Sequence, residues 1–276
     1  MVYALFSLGL LTALGAVYTA AVGWLWFRQE RLLFEPTPLP ADHVFDAAPD
    51  VHELTIEVPG ARLSVAHLQL PDPRGVVFFL HGNSGNLQDC LGELEAFRQV
   101  NFDVVMFDYR GYGKSTGCIG SEAQLRADVR TVWQQFASKY ETKRVVISGQ
   151  SLGTGLAAGL AAELTAAGQA PDLTMLVSPY SSMSTLADEL FPWVRPWVPR
   201  QVLRYPLPTV DHATQLGGPL VLIHGDKDEL IGIHHSEALH KAVPKAQFLR
   251  VEGAGHSDVH KFPSFRKALA GALGCL

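Results

Sequence analysis

The hydrophobic and polar positions of this chain change rhythm twice. From Val2 to Phe27 no charged residue occurs. Such a run is long enough to cross a hydrocarbon core as a helix. Tyr3, Trp24 and Trp26 lie near its ends, where aromatic rings favour the membrane interface, and Arg28 and Arg31 follow at once. A cleaved signal peptide would bring a basic leader, a shorter apolar run and a closing small-x-small site, and the stretch shows none of these. A buried globular helix fits less well, because glycine and β-branched residues come here without polar punctuation. The expectation is an uncleaved single-pass anchor over residues 1–27. The positive flank favours a cytoplasmic catalytic domain, although Glu30 and Glu35 crowd the same flank. Glu35-Pro36-Thr37-Pro38-Leu39-Pro40 then reads as an extended, semi-rigid spacer within a linker over 28–50.

Beyond residue 50 the pattern becomes that of a globular domain. Glu53 to Val58 and Arg62 to Leu70 alternate like half-exposed strands, with Pro59-Gly60 at the turn, which predicts an antiparallel hairpin. Short apolar runs follow at Gly75 to Leu80, Asp103 to Phe107, Val145 to Ile147, Leu173 to Val177, Pro219 to His224 and Gln247 to Val251. They read as buried strands. Helical stretches fall between them: Leu87 to Gln99, a capped helix from Ser121 to about Tyr140, Leu152 to Leu164, His234 to Ala242 and Val259 to Ala270. Strands alternating with helices predict an α/β fold over 51–276, a mainly parallel sheet covered on both faces. Functional groups should then gather beyond the carboxyl ends of the strands.

Composition narrows the classes. An apolar content of 47% with 18% charged residues excludes a disordered chain. A net charge of −5 offers no basic footprint for nucleic acid. Cys90, Cys118 and Cys275 are too far apart for a zinc site or a disulfide framework.

The strongest chemical signal is Gly149-x-Ser151-x-Gly153, between the Val145 to Ile147 run and an alanine-rich helix. A serine hydroxyl is a poor nucleophile unless a sharp turn aims it at a base. Small flanking residues let strand and helix close around that turn. An incidental serine in a β-to-α turn is the plainer alternative, so a base, an acid and an oxyanion site must be found elsewhere. Of eleven histidines, His256 follows the last strand in Gly255-His256 and suits the base. Asp228 suits the orienting acid, with Asp226 as its rival nearer the bend. Main-chain N–H groups of Leu152 and Asn83 suit an oxyanion hole. His81, in a tightly held loop, reads as structural.

These motifs carry a resemblance. His81-Gly82-Asn83-x-Gly85-Asn86, Asp108-Tyr109-Arg110-Gly111-x-Gly113-x-Ser115, Gly149-x-Ser151-x-Gly153, Gly225-x-x-Asp228 and Gly255-His256 resemble the α/β-hydrolase superfamily. Glu30-Arg31-Leu32-Leu33-Phe34-Glu35-Pro36 and Ser178-Pro179-Tyr180-Ser181-Ser182 are similar to stretches of its membrane-anchored group with a single N-terminal span. The resemblance implies a Ser–Asp–His triad on Ser151, Asp228 and His256. It implies activity on esters and thioesters of lipid or acylated protein, with peptidases among its neighbours. It implies a minimal cap in place of a full helical lid.

Other motifs read as decoys. Gly113-Lys114-Ser115-Thr116 lacks the glycine and the long helix of a phosphate-binding loop. His256-x-x-x-His260, and His234-His235 with His240, have metal-like spacing, but no metal or organic cofactor is expected. Phe191 to Pro199 carries Trp193 and Trp197 between prolines. It reads either as a loop completing the core or as a cap lining an acyl pocket or touching a membrane, with Met183 and Leu186 joining it. The expected function is a membrane-anchored serine hydrolase of acyl esters or thioesters. A serine peptidase on the same triad and a non-catalytic membrane scaffold are the rivals.

Overall fold

A computed structural model describes residues 2–274, with side chains described for 11–274. Eight strands form one sheet: β1 (Val51–Val58), β2 (Ala61–Leu68), β3 (Gly75–Leu80), β4 (Phe102–Phe107), β5 (Arg144–Gln150), β6 (Leu173–Val177), β7 (Leu220–Gly225) and β8 (Gln247–Val251). Their spatial order is β8-β7-β6-β5-β3-β4-β2-β1. The β1–β2 and β2–β4 pairs are antiparallel and all other pairs are parallel. The longer helices are α1 (Val2–Leu33), α2 (Glu122–Ala137), α3 (Gly153–Ala166), α4 (Met183–Leu190), α5 (His234–Ala242) and α6 (Pro263–Gly274).

The central strands are buried on both faces, which is why they read as unbroken apolar runs. Along β3, Val76, Phe78 and Leu80 enter one core and Val77 and Phe79 the other. Leu125, Val129 and Val132 of α2 and Leu156 and Ala157 of α3 complete the first core. Phe265 and Leu269 of α6 complete the second.

Some expectations shift. The run from Leu87 is not one helix but three short turns, Leu87–Cys90, Leu91–Glu93 and Leu94–Arg98. The last helix begins at Pro263, after a separate turn at Val259–Lys261, as suits proline in a first helical position. The proline-rich segment is stitched to the domain rather than free of it. Glu35–Pro36 pairs in parallel with Ser84–Gly85. Leu39 N–H donates to Gly113 O at 2.7 Å, and Asn86 Nδ2 to Thr37 O at 3.0 Å.

Among the described residues, no helix is long and apolar enough to cross a membrane. The expected span, Val2 to Phe27, begins in residues 2–10, whose side chains lie outside the described residues. The described part of α1 exposes Leu11, Leu14, Val17 and Phe27.

Candidate active site

Strand β5 ends at Gln150, and the chain turns sharply into α3. Ser151 takes φ +51°, a left-handed conformation that a non-glycine residue holds only under constraint, at a cost of about 1–3 kcal/mol. The constraint is visible. Ser151 N–H donates to Val177 O at 3.0 Å, and Thr154 Oγ1 donates to Ser151 O at 2.6 Å. A Cβ at Gly149 would overlap the Gly153 carbonyl, and one at Gly153 would overlap the Leu80 carbonyl. Both glycines are thus required by close backbone approach.

Strands β7 and β8 bring the partners. His256 Nδ1 lies 2.7 Å from Asp228 Oδ2, and His256 Nε2 lies 3.0 Å from Ser151 Oγ. The carboxylate accepts the Nδ1 proton, which leaves the Nε2 lone pair facing the hydroxyl. Burial alone would raise the Asp228 carboxyl. Hydrogen bonds from His224, His256 and the Ile231 N–H outweigh it and hold the group well below the usual carboxylate range. Oδ1 accepts the N–H groups of Leu230 (3.0 Å) and Ile231 (2.8 Å). Asp226, the rival, turns instead to the Gly253 N–H at 2.7 Å and braces the loop that leads to His256.

His224 was not singled out as a site residue in the sequence, yet it completes this cluster. Its ring is fully buried, with Nε2 at 3.2 Å from Asp228 Oδ2 and 2.8 Å from Ile231 O. Ser236 Oγ holds Nδ1 at 2.7 Å. Its only sequence signal was a histidine at the carboxyl end of a strand, four residues before the acid. Tyr180 is a second such residue. Its hydroxyl donates to Leu152 O at 3.0 Å and so steadies the turn behind Ser151.

Asn83 and Leu152 flank Ser151 at the edge of a cavity of about 420 Å³. Among the described residues neither main-chain N–H donates a hydrogen bond. The Asn83 carbonyl is fixed by the Tyr112 hydroxyl (2.6 Å) and the Glu35 N–H (2.8 Å). Its side-chain amide donates to Leu33 O at 3.4 Å. Met183 and Leu186 line the cavity, together with Leu190, Phe191, Val198 and Leu203. Trp193 and Trp197 do not. Both are about two-thirds exposed, at 67% and 69%. They neither complete the core nor wall the pocket, because the turns of 191–199 point them outward. The end of α1 also lines the cavity, with Trp24 and Leu25 from the expected anchor and Gln29, Leu32 and Leu33 from the expected linker.

The remaining candidates have structural places. His81 is buried, stacks on Tyr109 with centroids 4.1 Å apart, and is lowered to about 4 by burial. Arg110 pairs bidentately with Asp128 at 2.6 and 2.8 Å. Ser115 Oγ bridges Asp108 O and the Ser64 N–H, and Lys114 pairs with Glu53. Glu189, His234 and His235 converge, whereas His240 lies outside the group. The Ser181 N–H donates to His235 Nδ1 at 3.2 Å, so Nε2 carries the proton; it lies 3.1 Å from a Glu189 carboxylate oxygen without hydrogen-bonding to it. A protonated Nε2 offers a metal no lone pair.

The sheet order, with a strand–turn–helix at a serine, is that of an α/β hydrolase. The chain belongs to the hydrolase family described as serine aminopeptidase, S33, whose profile matches residues 71–209, half of the chain. Alpha/beta hydrolase domain-containing protein 17C of Mus musculus is 31% identical over 203 residues, covering 72% of this chain and 59% of that protein. The chain thus spans about three-fifths of the length of that relative. An uncharacterised protein of Mycobacterium tuberculosis is 26% identical over 260 residues, covering 91% of this chain and 89% of its own. An esterase of Pyrococcus furiosus shares the fold at a TM-score of 0.68 and 17% identity, covering 88% of this chain and 97% of its own.

Proposed function

We propose that the protein is a serine hydrolase that cleaves carboxylic ester or thioester bonds of acyl substrates. One observation carries the reading. A serine on a strained turn stands in a hydrogen-bonded line with His256 and Asp228, at the edge of a cavity lined mainly by apolar side chains. In this reading Ser151 Oγ attacks the acyl carbonyl while His256 Nε2 takes its proton. The N–H groups of Asn83 and Leu152 receive the charge that develops on the carbonyl oxygen. His256 then protonates the leaving alcohol or thiol. Water, deprotonated by the same nitrogen, releases the acid from the acyl-enzyme. Asp228 holds the ring and stabilises its cation, and His224 positions Asp228.

A peptidase on the same groups is the second reading, and the family's description favours it. An aminopeptidase needs a free carboxylate to hold the substrate amine. Asp188 is the one carboxylate among the described lining residues, and it is paired with Arg195 and Arg200. That pairing favours the ester reading. The reading also keeps residues 1–27 as a membrane anchor, with the catalytic domain on the cytoplasmic side. The uncharged run to Phe27, the exposed apolar residues of α1 and the Arg28–Arg31 flank support it.

The test is labelling by a fluorophosphonate probe in native membranes, wild type against Ser151→Ala, followed by turnover of p-nitrophenyl esters beside aminoacyl amides. Labelling abolished by the substitution, with turnover of esters over amides, is the expected result. A well-folded wild type that resists the probe would sink the hydrolase reading. Preferred turnover of the amides would replace it with the peptidase.

A further inference from the structure

The end of α1 is built into the cavity above Ser151. Leu25, Gln29, Leu32 and Leu33 line it. Their spacing of four, three and one places them on a single helical face. Leu186, Leu190, Val198 and Leu203, from residues 183–204, line the same cavity. The two walls are joined by reciprocal amide bonds over long sequence distances. Gln29 Nε2 donates to Val202 O at 2.7 Å, and Gln29 Oε1 accepts the Arg204 N–H at 2.8 Å. Tyr205 Oη donates to Glu30 at 2.8 Å, and Tyr18 Oη donates to Trp197 O at 2.7 Å. A helix that served only to tether the domain would need none of these bonds.

We propose that α1 is a substrate-binding wall of the enzyme, and that its inner face holds a linear acyl chain running from Ser151 towards Trp24. The proposal rests on the hydrolase reading and deepens it by naming the substrate class and the element that selects it. The wall has the required chemistry. Gln29, its one polar side chain on that face, is spent on the cap backbone, so what remains is apolar. It has the required length. Leu33 touches Asn83, and Trp24 lies nine residues earlier on the same helix, which corresponds to about 13 Å of groove. It also has a way in. Past Trp24 the helix continues with Val17 and Leu14 exposed, so an acyl chain reaches the cavity along an apolar surface.

The direct test uses the full chain in native membranes and an alkyl fluorophosphonate with a diazirine at the far end of a long alkyl chain. Ser151 Oγ forms a bond to phosphorus, fluoride leaves, and the serine proton passes to His256. Irradiation then marks whatever touches the chain end, and peptide mapping locates it. Adducts within residues 24–33, absent with a short-chain version of the probe, are expected. A long-chain probe that labels Ser151 but places no adduct within 24–33 overturns the proposal. A wild type that takes no probe at all removes the hydrolase reading, and this proposal with it, so the two failures are distinguishable.

Substitution gives a second, independent reading. Leu25→Trp and Leu32→Trp fill the groove. Each should lower kcat/KM for a long-chain p-nitrophenyl ester about tenfold or more while leaving a short-chain ester within about twofold. Val44→Trp, at an exposed position that does not line the cavity, should change neither. Equal loss on both esters, or no loss on either, overturns the proposal. A variant that misfolds is recognised by failing to take the short probe, and the crosslinking of the wild type then decides.

Discussion

The cavity has a floor and a roof built on opposite terms. The floor stands on the carboxyl ends of β3, β5, β7 and β8, which Asn83, Ser151, Asp228 and His256 follow. Its geometry comes from backbone bonds, two glycine contacts and a carboxylate surrounded by donors. The roof, made of α1 and residues 183–204, exposes Trp26, Phe191, Trp193 and Trp197. It is held by a few polar bonds between residues some 175 positions apart. Acyl transfer demands placement of the reacting atoms to fractions of an ångström, whereas holding an apolar chain demands only volume and dryness. On the proposed reaction, this difference predicts that turnover and selectivity are separately mutable.

The largest effect should come from the floor. Asp228→Asn leaves the shape intact but removes the charge that sets the His256 tautomer, and should lower kcat about 10⁴-fold on long and short esters alike. Unequal loss on the two would blur the line between floor and roof. The same variant carries a pH signature. Donors depress the folded-state pKa of Asp228, so its stabilisation is fully present above the unfolded value near 4 and is lost as pH falls through the folded value. Thermal melts taken from pH 6 downwards should lose stability more steeply in the wild type than in Asp228→Asn.

Backbone crowding sharpens the contrast next. Gly153→Ala drives a methyl into the Leu80 and His81 carbonyls and should cost about 3 kcal/mol or prevent folding. Gly23→Ala, in the roof, meets nothing within 4 Å and should stay within about 1 kcal/mol of the wild type. Chemical denaturation of the pair would check both, and tolerance at Gly153 would remove the argument for a tight elbow.

A smaller effect is expected at Asp108, a buried carboxyl that follows β4. Burial pushes Asp108 up to about 7, its largest influence, with the Leu87 N–H only partly opposing it. An acid raised on folding stabilises fully below its unfolded value near 4, and that contribution fades as pH rises to about 7. Asp108→Asn should therefore be more stable than the wild type at pH 8, by about 1–3 kcal/mol, and lose that advantage at pH 4. An advantage that does not change with pH would contradict this. The smallest effect is expected at the roof's outer surface. Trp193→Ala and Trp197→Ala should each change turnover of detergent-dispersed esters by less than about twofold at either chain length. A loss confined to the long ester would return these rings to the pocket.

The floor was legible in the sequence because each of its groups sits within a few residues of a strand end. Ser151 is bracketed by its own glycines, and His256 follows β8 on a short loop. The strands at 75–80, 173–177 and 247–251 were legible to the residue; the first two are the largely apolar runs that two-sided burial requires, whereas 247–251, with Gln247 and Arg250, is a half-exposed edge strand and not the buried one expected. His224 was hidden because its value lies in the third dimension, between Ser236 and Asp228. The broken helix after Leu87 was hidden because periodicity does not register the turn around Gly92. The roof was least legible. A Pro- and Trp-rich segment has no period to tell inward from outward, and the partners of Gln29 and Glu30 lie at the far end of the chain.

The short ladder between Glu35–Pro36 and Ser84–Gly85 has a mechanical consequence. It ties the base of α1 to the loop that carries Asn83, and the Asn83 amide grips the last carbonyl of that helix. The helix is thus a lever whose fulcrum sits beside Asn83, whose N–H is a proposed oxyanion donor. A tilt at its far end, some thirty residues away, is delivered as torque to the loop whose N–H, with that of Leu152, receives the substrate oxygen in the proposed mechanism.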